Sequence, residues 1–253
     1  MRSLNLRLQE NGEEEPDVAR DALKALGLLA ASDTETESPT PDQESFLAYL
    51  WRQREALAQR TWEHLSLSGI ALLLAILVAV PLGLLLERRR KVAEAVIRLV
   101  GITQTLPSIA LLAFMIPLLG VGSVPAIVAL WIYSLFPILR NTYTGVRDAD
   151  PRAVQSAAAL GMTPGQILSQ IRFPLAIPII LAGVRTAAVI VVGTATLAAF
   201  IGAGGLGEPI VTGLQLVNTQ MILSGALPAA ALAIAVDLGL GLLEKRLRPK
   251  GLT

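Results

Sequence analysis

The chain has 253 residues, 53% of them hydrophobic, and a mean hydropathy of +0.59. Those values lie outside the soluble globular class and indicate a membrane protein. Its net charge of +1 is too small for the field a nucleic-acid partner needs, so none is expected. With no cysteine there are no disulfides, thiolate metal sites or cysteine nucleophiles, and one histidine leaves little room for imidazole metal chemistry.

Residues 1–45 differ from the rest, with eleven acidic and four basic side chains. Val18, Ala22, Leu23 and Leu26, followed by Gly27, have the spacing of a short amphipathic helix. Residues 31–45 are acidic, rich in Ser, Thr and Pro, and without period, as a flexible linker is. No apolar run near Met1 suits a cleavable signal peptide. Residues 46–64 mix Phe46, Leu50, Trp51 and Trp62 with charges. This segment is either a helix lying in the membrane interface or the extension of the first spanning helix. His64, at the start of that span, is expected at the surface or interface.

Residues 65–86 form a charge-free run long enough to cross the hydrocarbon, which takes about 20 residues. Residues 99–139 are also charge-free and about twice that length; the GVGSVP turn at 120–125 divides them into two spans. A fourth span lies within 173–200, interrupted only by Arg185, and a fifth within 220–243, interrupted only by Asp237. Basic clusters follow span one (Arg88, Arg89, Arg90, Lys91), span three (Arg140, Arg147, Arg152, Arg172) and span five (Lys245, Arg246). All three fall on one side, which the positive-inside rule makes cytoplasmic, leaving the N-terminus external and the C-terminus cytoplasmic.

The structured feature of that side is the segment 155–174, QSAAALGMTPGQILSQIRFP. It reads as two short helices around a glycine. Asp150 caps the first, with Pro151 at its first helical position and Gly161 as its stop; Thr163 caps the second, with Pro164 in the same place. Ala157, Ala158 and Ala159 favour helix and let a partner backbone approach. Ile167, Leu168 and Ile171 supply an apolar face.

This loop resembles the cytoplasmic Glu-Ala-Ala loop of the permease subunits of binding-protein-dependent ABC importers. Aligned on Gly161, the chain offers Gln155, Ser156 and Ala157, and then Ile171, Arg172, Phe173 and Pro174. Glutamine replaces the family's glutamate and serine its first alanine. Gln104-Thr105-Leu106-Pro107-Ser108, Ala182-Gly183-Val184-Arg185 and the run from Gly202 to Gly207 also resemble family segments, most closely those of the osmoprotectant subgroup (glycine betaine, choline, carnitine). Similar glycine-rich ends occur in methionine permeases. The resemblance covers about residues 62–248.

What it implies is an all-α, five-transmembrane-helix permease domain over 65–248, of the type I importer kind, with a cytoplasmic coupling helix. Gln155, Ser156, Ala157, Ala158, Gly161 and Pro174 would seat that helix in a separate ABC ATPase subunit. The chain would be a transport subunit and not an enzyme, without cofactor, in a bacterial or archaeal cell (inner) membrane. A second permease subunit and an external substrate-binding protein would complete it. Residues 1–30 resemble the C-terminal tail of such binding proteins, as if one had once been fused there.

Within the spans, Arg185 and Asp237 are the two charges and are candidates to pair. Gln104, Thr105, Pro107 and Ser108 either line a translocation path or hydrogen-bond between helices. Gly204 and Gly205 are candidates for a gate because their backbone is permissive. No Gly-x-x-x-x-Gly-Lys-Ser/Thr phosphate loop occurs, so ATP hydrolysis belongs to another subunit. The competing class, an intramembrane enzyme, needs a nucleophile–base pair or metal carboxylates at membrane depth.

Overall fold

The computed structural model describes residues 45–247. The expected helix at 17–26, the linker at 31–45 up to residue 44, and the binding-protein-like tail lie outside the described residues. Helix α1, Phe46–Arg52, ends one residue before α2, Arg54–Leu86. The segment 46–64 is therefore two pieces divided at Gln53, and residues 54–63 are the first turns of the spanning helix. Helix α2 shows how the bundle is built. Ala71, Ala75 and Ala79, four residues apart, are buried, whereas Leu73 and Leu77 on the other face are 57% and 61% exposed. Small side chains inside let helices approach closely, and large apolar ones outside suit lipid, the reverse of a soluble core.

The second crossing is not a straight helix. Helix α3, Arg90–Gly101, continues as a 3₁₀ turn, Ile102–Thr105, and then meets α4, Ser108–Leu119, at 99°. Pro107 is the cause. A residue before proline is steered away from helical backbone, and Leu106 is extended at φ −78°, ψ 134°. At about 1.5 Å per residue, α4 is about 18 Å long, less than the ~30 Å hydrocarbon thickness. Four other helices are long and apolar enough to span, and this bent pair makes a fifth span only if its two arms count as one; it is not a straight helix over 99–119. Gly120 and Gly122, both at positive φ, make the turn into α5, Ser123–Arg147.

Helix α5 is the centre of the bundle, packed against α2 on one side and the later span on the other. Ile138, Leu139 and Tyr143 meet Ala75, Ala79, Val184 and Ala187; Leu130 meets Leu67, Ala71, Val191 and Ala195. After α5 come α6, Pro151–Ala159, and α7, Pro164–Gln166. Here the second loop helix is not a separate unit. It passes through a π-turn, Ile167–Arg172, into α8, Phe173–Ala195, as one 38-residue helical run ending in a 3₁₀ turn at Ile201. Its own capping box starts the helix, and nothing after it supplies a stop.

Helix α9, Gly207–Gln215, folds back onto α10, Thr219–Leu247. Glycine makes that fold possible: a Cβ on Gly207 would lie 1.8 Å from the Thr196 carbonyl oxygen, and one on Gly225 would lie 2.5 Å from the Leu206 carbonyl oxygen. Helix α10 packs on α8 and α9 but is otherwise peripheral, with Ile234, Leu238 and Leu242 each about 60% exposed.

Candidate functional site

The bundle has two distinct ends. Residues 63 and 87 of the continuous stretch containing α2 are separated by about 36 Å of helix. Glu87 belongs to the end carrying α6, since its carboxylate pairs with Arg172 of the π-turn. Glu63 belongs to the opposite end, where it meets the glycine loop.

At the first end, the loop is organised by its caps. The Asp150 carboxylate accepts the Arg152 backbone N–H at 2.8 Å, with Pro151 at the first helical position. Gly161 takes φ +82°, the left-handed value that closes α6. Thr163 and Gln166 form a capping box: the Gln166 side chain accepts the Thr163 N–H at 2.8 Å, and Thr163 Oγ1 accepts the Gln166 N–H at 3.4 Å. Leu168 and Phe173 pack on Val146, Ala176 and Ile180, anchoring the returning helical segment of the loop to the bundle. Ala157 is buried against its own chain, while Gln155, Ser156, Ala158 and Ala159 are exposed. Leu160, absent from the sequence-based candidates, is 83% exposed at the tip. Its signal was an apolar residue directly before the helix-stopping glycine. Pro174 lies in the first turn of α8, half-buried and away from that surface.

In the broken crossing, Gln104 solves a specific problem. Pro137 has no N–H, so the Tyr133 carbonyl of α5 lacks its usual donor four residues on. Gln104 Nε2 donates to that carbonyl at 3.0 Å, and the Tyr133 hydroxyl donates to the Leu106 carbonyl freed by the break. Two proline defects on different helices are thereby stitched together. Thr105 Oγ1 turns back to the Ile102 carbonyl at 2.8 Å, and Ser108 begins α4.

At the opposite end, Gly204 and Gly205 both sit at φ +78°, folding the chain over the start of α2. The Gly205 N–H donates to Glu63 Oε2 at 3.1 Å, and Gln59 Nε2 donates to Glu63 Oε1 at 3.0 Å. Arg60 pairs with Glu208 at 3.3 Å. Glu63, Ala199, Gly202, Ala203, Gly204 and Glu208 line a cavity of about 440 Å³. His64, expected at the surface or interface, is wholly buried beneath the loop and bonds through Nε2 to the Val192 carbonyl at 2.9 Å. The glycine loop covers it, a tertiary effect invisible along the chain. Sequence reasoning also missed Arg60, Glu63 and Glu208; charged residues bracketing a glycine-rich turn and a span start were the available signal.

Arg185 and Asp237 come together between α8 and α10. The contact is bidentate, Nε to Oδ1 at 2.5 Å and Nη2 to Oδ2 at 2.6 Å, with Glu244 3.9 Å from Nη1. Gly241 makes room, since a Cβ there would lie 3.1 Å from Arg185 Nη1. Among the described residues, no group of three or more His, Cys, Asp or Glu has metal-binding placement.

A helical bundle with one capped helix projecting from an end, and a broken crossing beside its central helix, is the membrane-subunit fold of ABC importers. The methionine ABC transporter MetNI in an inward-facing conformation matches with a TM-score of 0.70 at 21% identity, over 78% of this chain and 98% of that one. An amino acid ABC transporter matches with a TM-score of 0.68 at 16% identity, over 81% and 99%. The family described as binding-protein-dependent transport system inner membrane component matches residues 60–249, and the chain belongs to it. The choline transport system permease protein OpuBB of Bacillus subtilis is 51% identical over 78% of this chain and 90% of its own length. The glycine betaine/carnitine/choline permease OpuCB of the same organism is 51% identical over 81% and 95%. The carnitine transport permease OpuCB of Listeria monocytogenes is also 51% identical, over 78% and 90%. The chain is thus a multi-pass permease subunit of an ABC importer, and its family implies an ATPase and a substrate-binding protein as partners.

Proposed function

We propose that this permease passes glycine betaine, choline, carnitine or a similar osmoprotectant across the cell membrane, driven by ATP hydrolysis in its partner subunit. The 51% identity to permeases named for those solutes carries the substrate assignment. Coupling is assigned to α6: its caps hold Ala158, Ala159 and Leu160 outward on a rigid base, as a helix seated in a partner groove requires. The loop end is cytoplasmic, because the basic clusters of spans one, three and five gather there. The N-terminus is then external, on the side from which a binding protein delivers substrate.

Two copies, or this chain and a similar permease, enclose the route. The glycine loop at 202–207, held by Glu63, is the external gate element; moving its 202–205 part breaks one charge-assisted hydrogen bond beside the Arg60–Glu208 pair, a modest cost, while Leu206 and Gly207 stay packed on the bundle. The Gln104–Tyr133 stitch keeps the broken crossing in register with α5 during that movement.

Uptake tests this reading. The permease, its ATPase and its binding protein are reconstituted in proteoliposomes with internal ATP and offered labelled choline, glycine betaine, carnitine or methionine. ATP-dependent accumulation of at least one of the first three is expected. Accumulation of methionine alone would overturn the substrate assignment.

A further inference from the structure

A second cavity, of about 510 Å³, lies at the loop end where α3 crosses α5. Three guanidinium groups line it: Arg98 from α3, and Arg140 and Arg147 from α5. None of the three forms an ion pair with a carboxylate among the described residues. The one acid in the lining, Glu94, is held by Arg90 at 2.8 Å. The arginines are also oriented. Arg140 lies over the Phe136 ring at 5.8 Å, and Arg147 lies over Tyr143 at 5.7 Å while donating to its hydroxyl at 2.7 Å. Helix α3 is pressed onto α5 here, a Cβ on Gly101 being only 2.9 Å from Phe136.

From this we propose that the groove binds the phosphate of an anionic phospholipid headgroup. Three guanidinium groups share a groove with one carboxylate that Arg90 already pairs, an excess of positive charge that calls for an anion, and arginine's planar fork suits phosphate oxygens. The apolar surroundings choose a lipid over a free ion. Leu99 and Ile102 are 68% and 53% exposed beside the groove, where acyl chains would lie. The groove follows α5 from Phe136 to Arg147, where that spanning helix ends, so its arginines stand toward the headgroup depth of the loop end. Basic pockets between membrane helices bind anionic headgroups by this logic. The proposal needs only that the chain is embedded in a bilayer, so it stands or fails separately from the transported solute.

Native mass spectrometry of the permease–ATPase complex in detergent tests it, with dioleoylphosphatidylglycerol, dioleoylphosphatidylcholine and inorganic phosphate as probes. Retention of phosphatidylglycerol over phosphatidylcholine is expected. Its affinity should fall roughly fivefold in Arg140→Gln, and about a hundredfold when Arg98, Arg140 and Arg147 are all changed to Gln. A control with Arg88, Arg89 and Lys91 changed to Gln removes equal charge outside the groove and should retain the lipid. Should the triple variant fail to fold, Arg140→Gln alone decides. Unchanged binding in Arg140→Gln, equal loss in the control, or competition by inorganic phosphate at the same concentration would each overturn the assignment.

Discussion

The loop end and the glycine end of this bundle are held in opposite ways. At the loop end, α6 and the turn after it are ordered locally, Asp150 capping two residues ahead and Thr163 and Gln166 capping each other three apart, and only the segment that follows is tied to the bundle, through Arg172 and Leu168. At the glycine end, order comes from far along the chain: Glu63 holds Gly205 and His64 holds Val192, across sequence separations of 142 and 128 residues. Local caps make a rigid projection that keeps its shape whatever the bundle does. Long-range single contacts make a closure that opens when helices shift. The proposed coupling at one end and gating at the other would benefit from that division.

The largest effect in breaking the comparison should come from Gly207→Ala. Its Cβ would fall 1.8 Å from a backbone oxygen, which no side-chain rotation relieves. We expect loss of about 3 kcal/mol or more of stability, seen as failure to recover monodisperse protein or a collapsed unfolding midpoint in detergent. Gly161→Ala, at φ +82° but in open space, should cost only about 1 kcal/mol. Equal losses at both glycines would erase the proposed difference between the ends.

Next in size is the stitch of the broken crossing. Gln104→Ala leaves the Tyr133 carbonyl without a donor and should cost about 1–2 kcal/mol in thermal unfolding. Pro137→Ala restores a backbone N–H to that carbonyl, so Gln104→Ala should cost much less in that background. Identical costs in both backgrounds would refute this role of Gln104.

The Arg185–Asp237 pair lies between the two ends. Single alanine variants should each reduce transport and stability, and the double variant should be no worse than the worse single, because either loss strands the other charge. Additive losses would mean that the two charges act independently. The smallest effect on stability is expected at the Glu63–Gly205 contact, where the gate is proposed. Glu63→Gln keeps an acceptor for the Gly205 N–H but weakens it, costing about 1 kcal/mol at most. It should alter solute uptake while leaving ATPase association intact; lost association would break the separation of roles.

The same division explains what was legible in the sequence. Spans, caps and turns are written within a few residues, and Asp150, Pro151, Gly161, Thr163 and Gly120 act where local chemistry places them. The bend at Leu106 was also local, in the pre-proline rule, but a charge-free run hid it under the expectation of a straight span. The continuation of α7 into α8 was hidden because Pro164 and Pro174 both resemble starts, and two starts without a stop between them make one helix. His64 was misplaced because its burial depends on a glycine loop about 140 residues away. Ala157, expected on the docking surface, is buried, and Leu160, for which no role was expected, is exposed, because the direction of α6 is set by packing on the bundle. Sequence spacing locates a helix face only relative to itself.

The coupling role of α6 can be tested directly by site-specific cross-linking, since the chain has no cysteine of its own. Leu160→Cys and Val217→Cys place single thiols at positions of matched exposure, 83% and 88%, at the loop end and the glycine end. With a short thiol–amine cross-linker and the copurified ATPase, Leu160→Cys should give a permease–ATPase adduct and Val217→Cys none. An adduct from Val217→Cys, or none from Leu160→Cys in a complex that still associates, would contradict the assignment of α6 as the coupling element.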